Sequence, residues 1–154
     1  MINKSYIAGF FDADGCLSII RSYPYERNRE ASVRYSPVIN FTNTNRKVLE
    51  EIQKFLGCGK VYTHKSVKPN WKKRNVIQIG GCKAVFRVLE EIVDFLIIKK
   101  SLAEKVLQYR VYFSDGRSYK HGNQYTGVKS LPENVLQKRE ELFNWCKNFN
   151  KKGI

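Results

Sequence analysis

The sequence predicts an α+β fold, a four-stranded antiparallel sheet with helices on one face and additional helices at the C-terminus. Three observations carry this. Segments with strand-like alternation come in two adjacent pairs. Segments with a helical apolar stripe stand before, between and after those pairs. The resulting order is α-β-β-α-β-β-α-α-α. No stretch repeats with a period of roughly 20–50 residues, and no low-complexity linker divides the chain. Residues 1–154 therefore read as one domain, a length that allows a sizeable core.

Residues 4–14 predict a short helix that is apolar on most sides, through Tyr6, Ile7, Ala8, Phe10 and Phe11. Such a helix is expected to be buried. It ends in two acids, Asp12 and Asp14, and Gly15 breaks it. "CLSIIRSYP" (16–24) reads as a strand and "YERNREAS" (25–32) as a polar loop. "VRYSPVINFT" (33–42) alternates cleanly, with Val33, Tyr35, Pro37, Ile39 and Phe41 on one face and Arg34, Ser36, Val38, Asn40 and Thr42 on the other. Pro37 inside it points to an edge or a bulge.

"NTNRKVLEEIQKFLG" (43–57) predicts a helix capped by Asn45, striped by Val48, Leu49, Ile52, Phe55 and Leu56, and ended by Gly57. "GKVYTHKS" and "RNVIQIGG" are two more strands, joined by the basic loop "VKPNWKK". Residues 82–97 and 99–113 read as amphipathic helices, 114–127 as a polar loop, and 132–149 as a final helix with Pro132 at its start.

The charge is one-sided: 28 Lys and Arg against 14 Asp and Glu, net +14. That excess implies a polyanionic partner, nucleic acid before membrane. Ile52 to Leu89 contains no Asp or Glu but does contain Lys54, Lys60, Lys65, Lys68, Lys72, Lys73, Arg74, Lys83 and Arg87, a one-sign field that favours a binding face. By alternation the uncovered sheet face carries Ser18, Ile20, Ser22, Arg34, Ser36, Asn40, Lys60, Tyr62, His64, Arg74 and Gln78. Cys16, Cys58, Cys82 and Cys146 form no CxxC pair, which argues against zinc and for reduced thiols. The N-terminus has no basic region followed by a long apolar run, so an intracellular protein is expected, its compartment unspecified. No apolar run approaches the roughly 20 residues of a membrane span.

"YIAGFFDADG" (Tyr6 to Gly15) resembles the LAGLIDADG motif of homing endonucleases, and "FLIIKKS" (95–101) is similar to the later segment that supplies that family's active-site lysine. The α-β-β-α-β-β-α order is the family's core, and it covers most of the chain. One motif copy is present, which in that family implies a homodimer. The resemblance implies that Asp14 is a metal ligand at the foot of the motif helix, with the Ala13 carbonyl able to reach the metal. It implies that Lys99 lies near the nucleophilic water, with Lys100 its rival, and that Asn43 and Lys47 organise active-site water and the scissile phosphate. At 43 the family commonly has Gln and at 47 Arg, so the reach here is shorter or simpler. Tyr6, Ala8, Gly9 and Phe10 fall where two motif helices pack across the dimer. Without the resemblance, Asp12 and Asp14 are a helix end with solvated acids; Asp12 is not read as catalytic, a structural role hydrogen-bonding backbone near the helix junction is open to it, and it stays unassigned.

The implied function is a sequence-specific homing endonuclease that cuts both strands of a long pseudo-palindromic DNA site to staggered ends. The implied cofactor is Mg²⁺ or Mn²⁺, with Ca²⁺ expected to bind without supporting cleavage. A four-stranded saddle from each protomer suits the major groove: Arg34 and Arg74 match guanine, and Asn40 and Gln78 match adenine. Lys65, Lys68, Lys72 and Lys73 match phosphates. The alternatives are an intron-encoded RNA maturase on the same fold, with intron RNA as partner, and a catalytically dead DNA-binding regulator.

Overall fold

In the computed structural model the described residues are 2–23, 33–65, 72–113 and 132–151. The loops read at 25–32 and 114–127, and Lys68 and Trp71 of the basic loop, lie outside them. The first helix, α1, spans Lys4–Asp14; the Asn3 side chain caps it by accepting from the Tyr6 N–H at 2.8 Å. It runs without a linker into β1 (Gly15–Ser22), and β2 is Arg34–Asn43. The second helix, α2 (Arg46–Leu56), starts on the Asn45 side chain and stops at Gly57, whose φ of 62° is the left-handed value that glycine adopts without strain. Then come β3 (Lys60–His64), β4 (Arg74–Gly80) and α3 (Cys82–Ile92). A 3₁₀ turn at Val93–Phe95, α4 (Lys100–Gln108), a 3₁₀ turn at Arg110–Tyr112 and α5 (Glu133–Lys151) complete the order.

The expected element order is observed, with the two largest boundary shifts at helix ends. The helices read over 82–97 and 99–113 stop at Ile92 and Gln108. After the first of these stops comes the 3₁₀ turn, and a tertiary contact keeps the helix from resuming beyond it. The N–H groups of Ile97, Ile98 and Lys99 bond to the carboxylate of Asp12, so they cannot continue a helical ladder.

The sheet is antiparallel, in the order β1-β2-β4-β3. One face is apolar: Leu17, Ile19, Ile39, Phe41, Ile77 and Ile79 are all buried. Onto it pack Ile7, Ala8 and Phe11 of α1, Leu49, Ile52 and Leu56 of α2, and Val85, Phe86, Val88, Leu89 and Ile92 of α3, forming one core. Fully burying each such aliphatic or aromatic side chain contributes roughly 1.5–3 kcal/mol before entropy is subtracted. Gly15 makes the direct join of α1 to β1 possible, since a Cβ there would stand 2.3 Å from the Phe11 ring and 2.6 Å from its carbonyl oxygen.

Pro37 behaves as the sequence indicates. β2 is a central strand, but its ladder with β4 begins at Val38, so at Pro37 that side of the strand is an edge. The outer edge of β1 is met by α5, where the Asn150 side chain donates to the Leu17 carbonyl at 3.0 Å. Farther along, Glu140 of α5 accepts from Arg21 at 2.8 Å and from the Tyr35 hydroxyl, tying α5 to β1 and β2.

α1 departs from expectation. It is not buried all round: Tyr6, Gly9 and Ala13 are exposed and Phe10 is half-buried, whereas Ala8 is fully enclosed. Position 8 lies on the helix side of Ile7 and Phe11, which faces the protomer's own sheet. Ala8 is therefore a core residue and is removed from the dimer-interface set; the free stripe at helical spacing is Tyr6, Gly9, Phe10 and Ala13.

Candidate active site

Two carboxylates end α1, and their surroundings differ completely. The Asp12 Oδ2 accepts from the Ile97 N–H at 2.7 Å and the Ile98 N–H at 3.1 Å, and Oδ1 accepts from the Lys99 N–H at 2.9 Å. Burial raises its carboxyl, but these three backbone donors and the Lys99 charge outweigh burial and hold it below the ordinary aspartate value. Asp14 is exposed, and no donor among the described residues meets its carboxylate.

Lys99 closes on the same helix end. Its ammonium donates to the Phe11 carbonyl at 2.8 Å and the Asp12 carbonyl at 2.6 Å, over the Phe11 ring. Both carbonyls lie in the last turn of α1, where positive charge is favoured, and the Phe11 carbonyl also accepts from the Gly15 N–H. Burial lowers the Lys99 ammonium below the usual lysine value, and Asp12, Cys16 and Asp14 pull it back in that order, so all three lie within its electrostatic reach. Burial pushes the Cys16 thiol up, and Lys99 partly offsets this. Lys100 begins α4 and is half-buried; Lys99, not Lys100, makes the contacts with the end of α1.

Asn43 and Lys47 reach the same end of the sheet by another route. Gly15 pairs with Phe41, and Asn43 lies two residues beyond Phe41 on β2. The Asn43 Oδ1 accepts from the Asn45 N–H at 2.8 Å, which leaves its NH₂ as the free donor. Lys47 sits exposed in the first turn of α2, its N–H bonded to the Asn45 side chain and its ammonium in water. A residue the sequence reading passed over fixes this corner. Buried Asn75 donates to the Asn43 and Thr44 carbonyls, at 3.4 and 3.0 Å, and accepts from the Thr63 hydroxyl at 2.8 Å. Its signal is a polar residue at a covered-face position of β4.

The uncovered sheet face carries the side chains that alternation placed there. Cross-strand partners put Cys16, Asn40, Gln78 and Lys60 in one row from edge to edge. Neighbouring rows hold Thr42, Val76 and Tyr62, then Arg74 and His64; on the other side come Ser18, Val38 and Gly80, then Ile20 with Ser36 and Ser22 with Arg34. Val38 and Val76 give this face a buried apolar centre within a polar field. Lys72, two residues ahead of β4, is exposed.

Among the described residues no three His, Cys, Asp or Glu side chains converge on one point. The local donor set is the open Asp14 carboxylate and the Ala13 carbonyl, since the Phe11 and Asp12 carbonyls already accept from Lys99. That set fits a hard divalent ion of the magnesium type, which uses one or two carboxylates and completes its shell with water and phosphate oxygens. It does not fit zinc, and the four cysteines stand free.

A family model described as LAGLIDADG endonuclease matches residues 7–110. DNA endonuclease I-CvuI of Chlorella vulgaris is 32% identical over 104 residues, 68% of this chain and 61% of that protein. Homing endonuclease I-ApeII of Aeropyrum pernix is 31% identical over 58 residues, 38% of this chain and 34% of that protein. The chain thus spans less than two thirds of the curated relatives it matches. Among solved structures, homing endonuclease I-CvuI in complex with its target superposes with a TM-score of 0.69 at 21% identity, covering 94% of this chain and 79% of that one. The archaeal intron-encoded homing endonuclease I-Vdi141I complexed with DNA gives 0.68 at 24% identity, covering 94% and 82%. These likenesses show that the fold is the same.

Proposed function

The chain belongs to the LAGLIDADG endonuclease family, and from that premise we propose that it is a divalent-metal-dependent DNA endonuclease, specific for sequence. Two copies act on one long pseudo-palindromic site and leave staggered ends. The observation that carries the reading is the Asp14 carboxylate, open at the foot of α1, with the Lys99 ammonium bonded to the last turn of the same helix and the polar sheet face beginning two residues on.

Each part of the chain has a task in phosphodiester hydrolysis. Asp14, with the Ala13 carbonyl, would hold the ion. Once bound, such an ion supplies Lewis-acid stabilisation of the phosphorane charge and a more acidic water. The Lys99 ammonium adds fixed positive charge where negative charge develops. Asn43 offers its NH₂ to water or phosphate, and Lys47 offers charge from an exposed helix turn. Asn40, Gln78, Arg34 and Arg74 would read base edges in the major groove, and Lys60 and Lys72 would meet phosphates.

One carboxylate per protomer serves one strand, so cutting both strands requires a second copy. The exposed stripe of Tyr6, Gly9, Phe10 and Ala13 is the surface on which two α1 helices would meet, bringing both Asp14 side chains near the twofold axis. The relative I-CvuI has been solved on DNA both with calcium and with magnesium, which supports a hard divalent ion here.

The test is incubation with Mg²⁺ and a plasmid library of candidate sites. Cleavage at a defined site is expected, absent in Asp14→Asn, with DNA binding retained in both proteins. No cleavage at any site, or cleavage unchanged in Asp14→Asn, overturns the reading. Light scattering on bound DNA should give two 18.0 kDa chains per duplex; one chain overturns the dimer.

A further inference from the structure

We propose that Asp12 is a positioning residue: its carboxylate gathers Ile97, Ile98 and Lys99 onto the end of α1 and so holds the Lys99 ammonium on the last turn of the helix that ends in Asp14. The proposal deepens the nuclease reading above and rests on it for the role of Lys99.

Two segments far apart in sequence are locked by five hydrogen bonds that run in both directions. The backbone of 97–99 donates to the Asp12 side chain, and the Lys99 side chain donates to the backbone of Phe11 and Asp12. Charge supports the arrangement at both ends. A carboxylate meets the N–H groups that lead into α4, and an ammonium meets the C-terminal carbonyls of α1. The lock also explains why the chain does not resume its helix after the 3₁₀ turn, with Leu96 extended, where no glycine or proline stops it.

Three features separate this role from its rivals. Both Asp12 oxygens already accept from protein, so a cation there would displace three N–H donors and leave them unpaired near the protein surface. Asp14, two residues on, has no such donors and remains available. An ammonium has three hydrogens, and Lys99 has spent two on carbonyls, so one is left for water or phosphate at the site. The lock forms within a single protomer, so the lysine is set before a second copy or a metal arrives.

The experiment has two arms. Amide hydrogen exchange is followed by NMR in the wild-type chain, Asp12→Asn and Asp14→Asn. Exchange at Ile97, Ile98 and Lys99 should rise at least about tenfold in Asp12→Asn alone. Single-turnover cleavage on saturating DNA with Mg²⁺ should then fall about 10–100-fold in Asp12→Asn, as for other residues that orient an active-site group. The Kd for DNA in Ca²⁺ should stay within about twofold of wild type, because the reading face is untouched. Asp12→Asn combined with Lys99→Met should be no slower than Lys99→Met by itself. Unchanged exchange at 97–99, or losses that multiply in the double variant, overturn the proposal. A wild-type chain that cuts no DNA overturns the nuclease reading instead, and the exchange arm still decides whether the lock exists. Should Asp12→Asn not fold, Asp12→Glu takes its place in both arms; it keeps the charge and shifts the oxygens by one methylene.

Discussion

The two faces of the one sheet obey different rules. On the covered face, Leu17, Ile39, Phe41, Ile77 and Ile79 lie beneath helices with no exposure to water. On the other, Asn40, Gln78 and Lys60 stand in one row, Asn40 half-buried and the other two exposed, with exposed Arg74 farther along β4. The same backbone hydrogen bonds serve both. Hydrocarbon burial on one face therefore holds the platform, and the opposite face is left free to carry residues chosen for a partner. A change on the first should be read in stability and a change on the second in binding.

The largest break of that division is Phe41→Ala. It should cost about 3–5 kcal/mol in denaturant unfolding, since Phe41 is fully buried against the rings of Phe10 and Phe11. At the seam where helix becomes reading strand, Gly15→Ala should cost about 1–3 kcal/mol by driving a methyl group into Phe11. Its thermal midpoint should drop with both faces otherwise intact.

Smaller is Glu140→Gln, on the covered side, at about 1 kcal/mol once water screening of the half-exposed pair with Arg21 is allowed for. The Tyr35 hydrogen bond chiefly, then Arg21 and Asn144, hold the Glu140 carboxyl below its ordinary value of 4.5 against the effect of burial. Its folded value is depressed, so its contribution is present above about pH 4.5 and is lost as pH falls through the lower folded value. The variant should show a flatter acid limb in stability against pH.

The smallest stability effect belongs to the open face. Gln78→Ala should move unfolding by no more than about 0.5 kcal/mol yet relax base preference at one position by about 1–3 kcal/mol. Lys72→Gln should weaken binding to all sequences alike and reduce the salt slope by about 1. A Gln78→Ala protein as destabilised as Phe41→Ala would dissolve the contrast between the faces.

Much of this was legible from residue order. The alternation of 33–42 assigned each side chain of β2 to its face, and Asn45 and Gly57 marked the ends of α2 through capping chemistry local to those positions. What was not legible depended on distant partners. α1 is apolar on both sides, so nothing in its own residues said that Ala8 turns inward while Gly9 turns outward. A structural role for Asp12 at the helix junction was open from the sequence, but its partners were not, because they lie across 85 positions that no local pattern records. Asn75 could be found only by noticing a polar side chain where the covered face demands an apolar one.

The margins of the sheet carry a final consequence. Antiparallel strands with bare edges invite a strand from another molecule, the first step toward fibres. Here a strand arriving alongside β1 would find the Leu17 carbonyl already occupied by Asn150. One arriving beside β2 short of Val38 would meet Pro37, which has no N–H to offer. Two unrelated residues thus deny intermolecular β-pairing at these margins and keep the chain from self-aggregating through them.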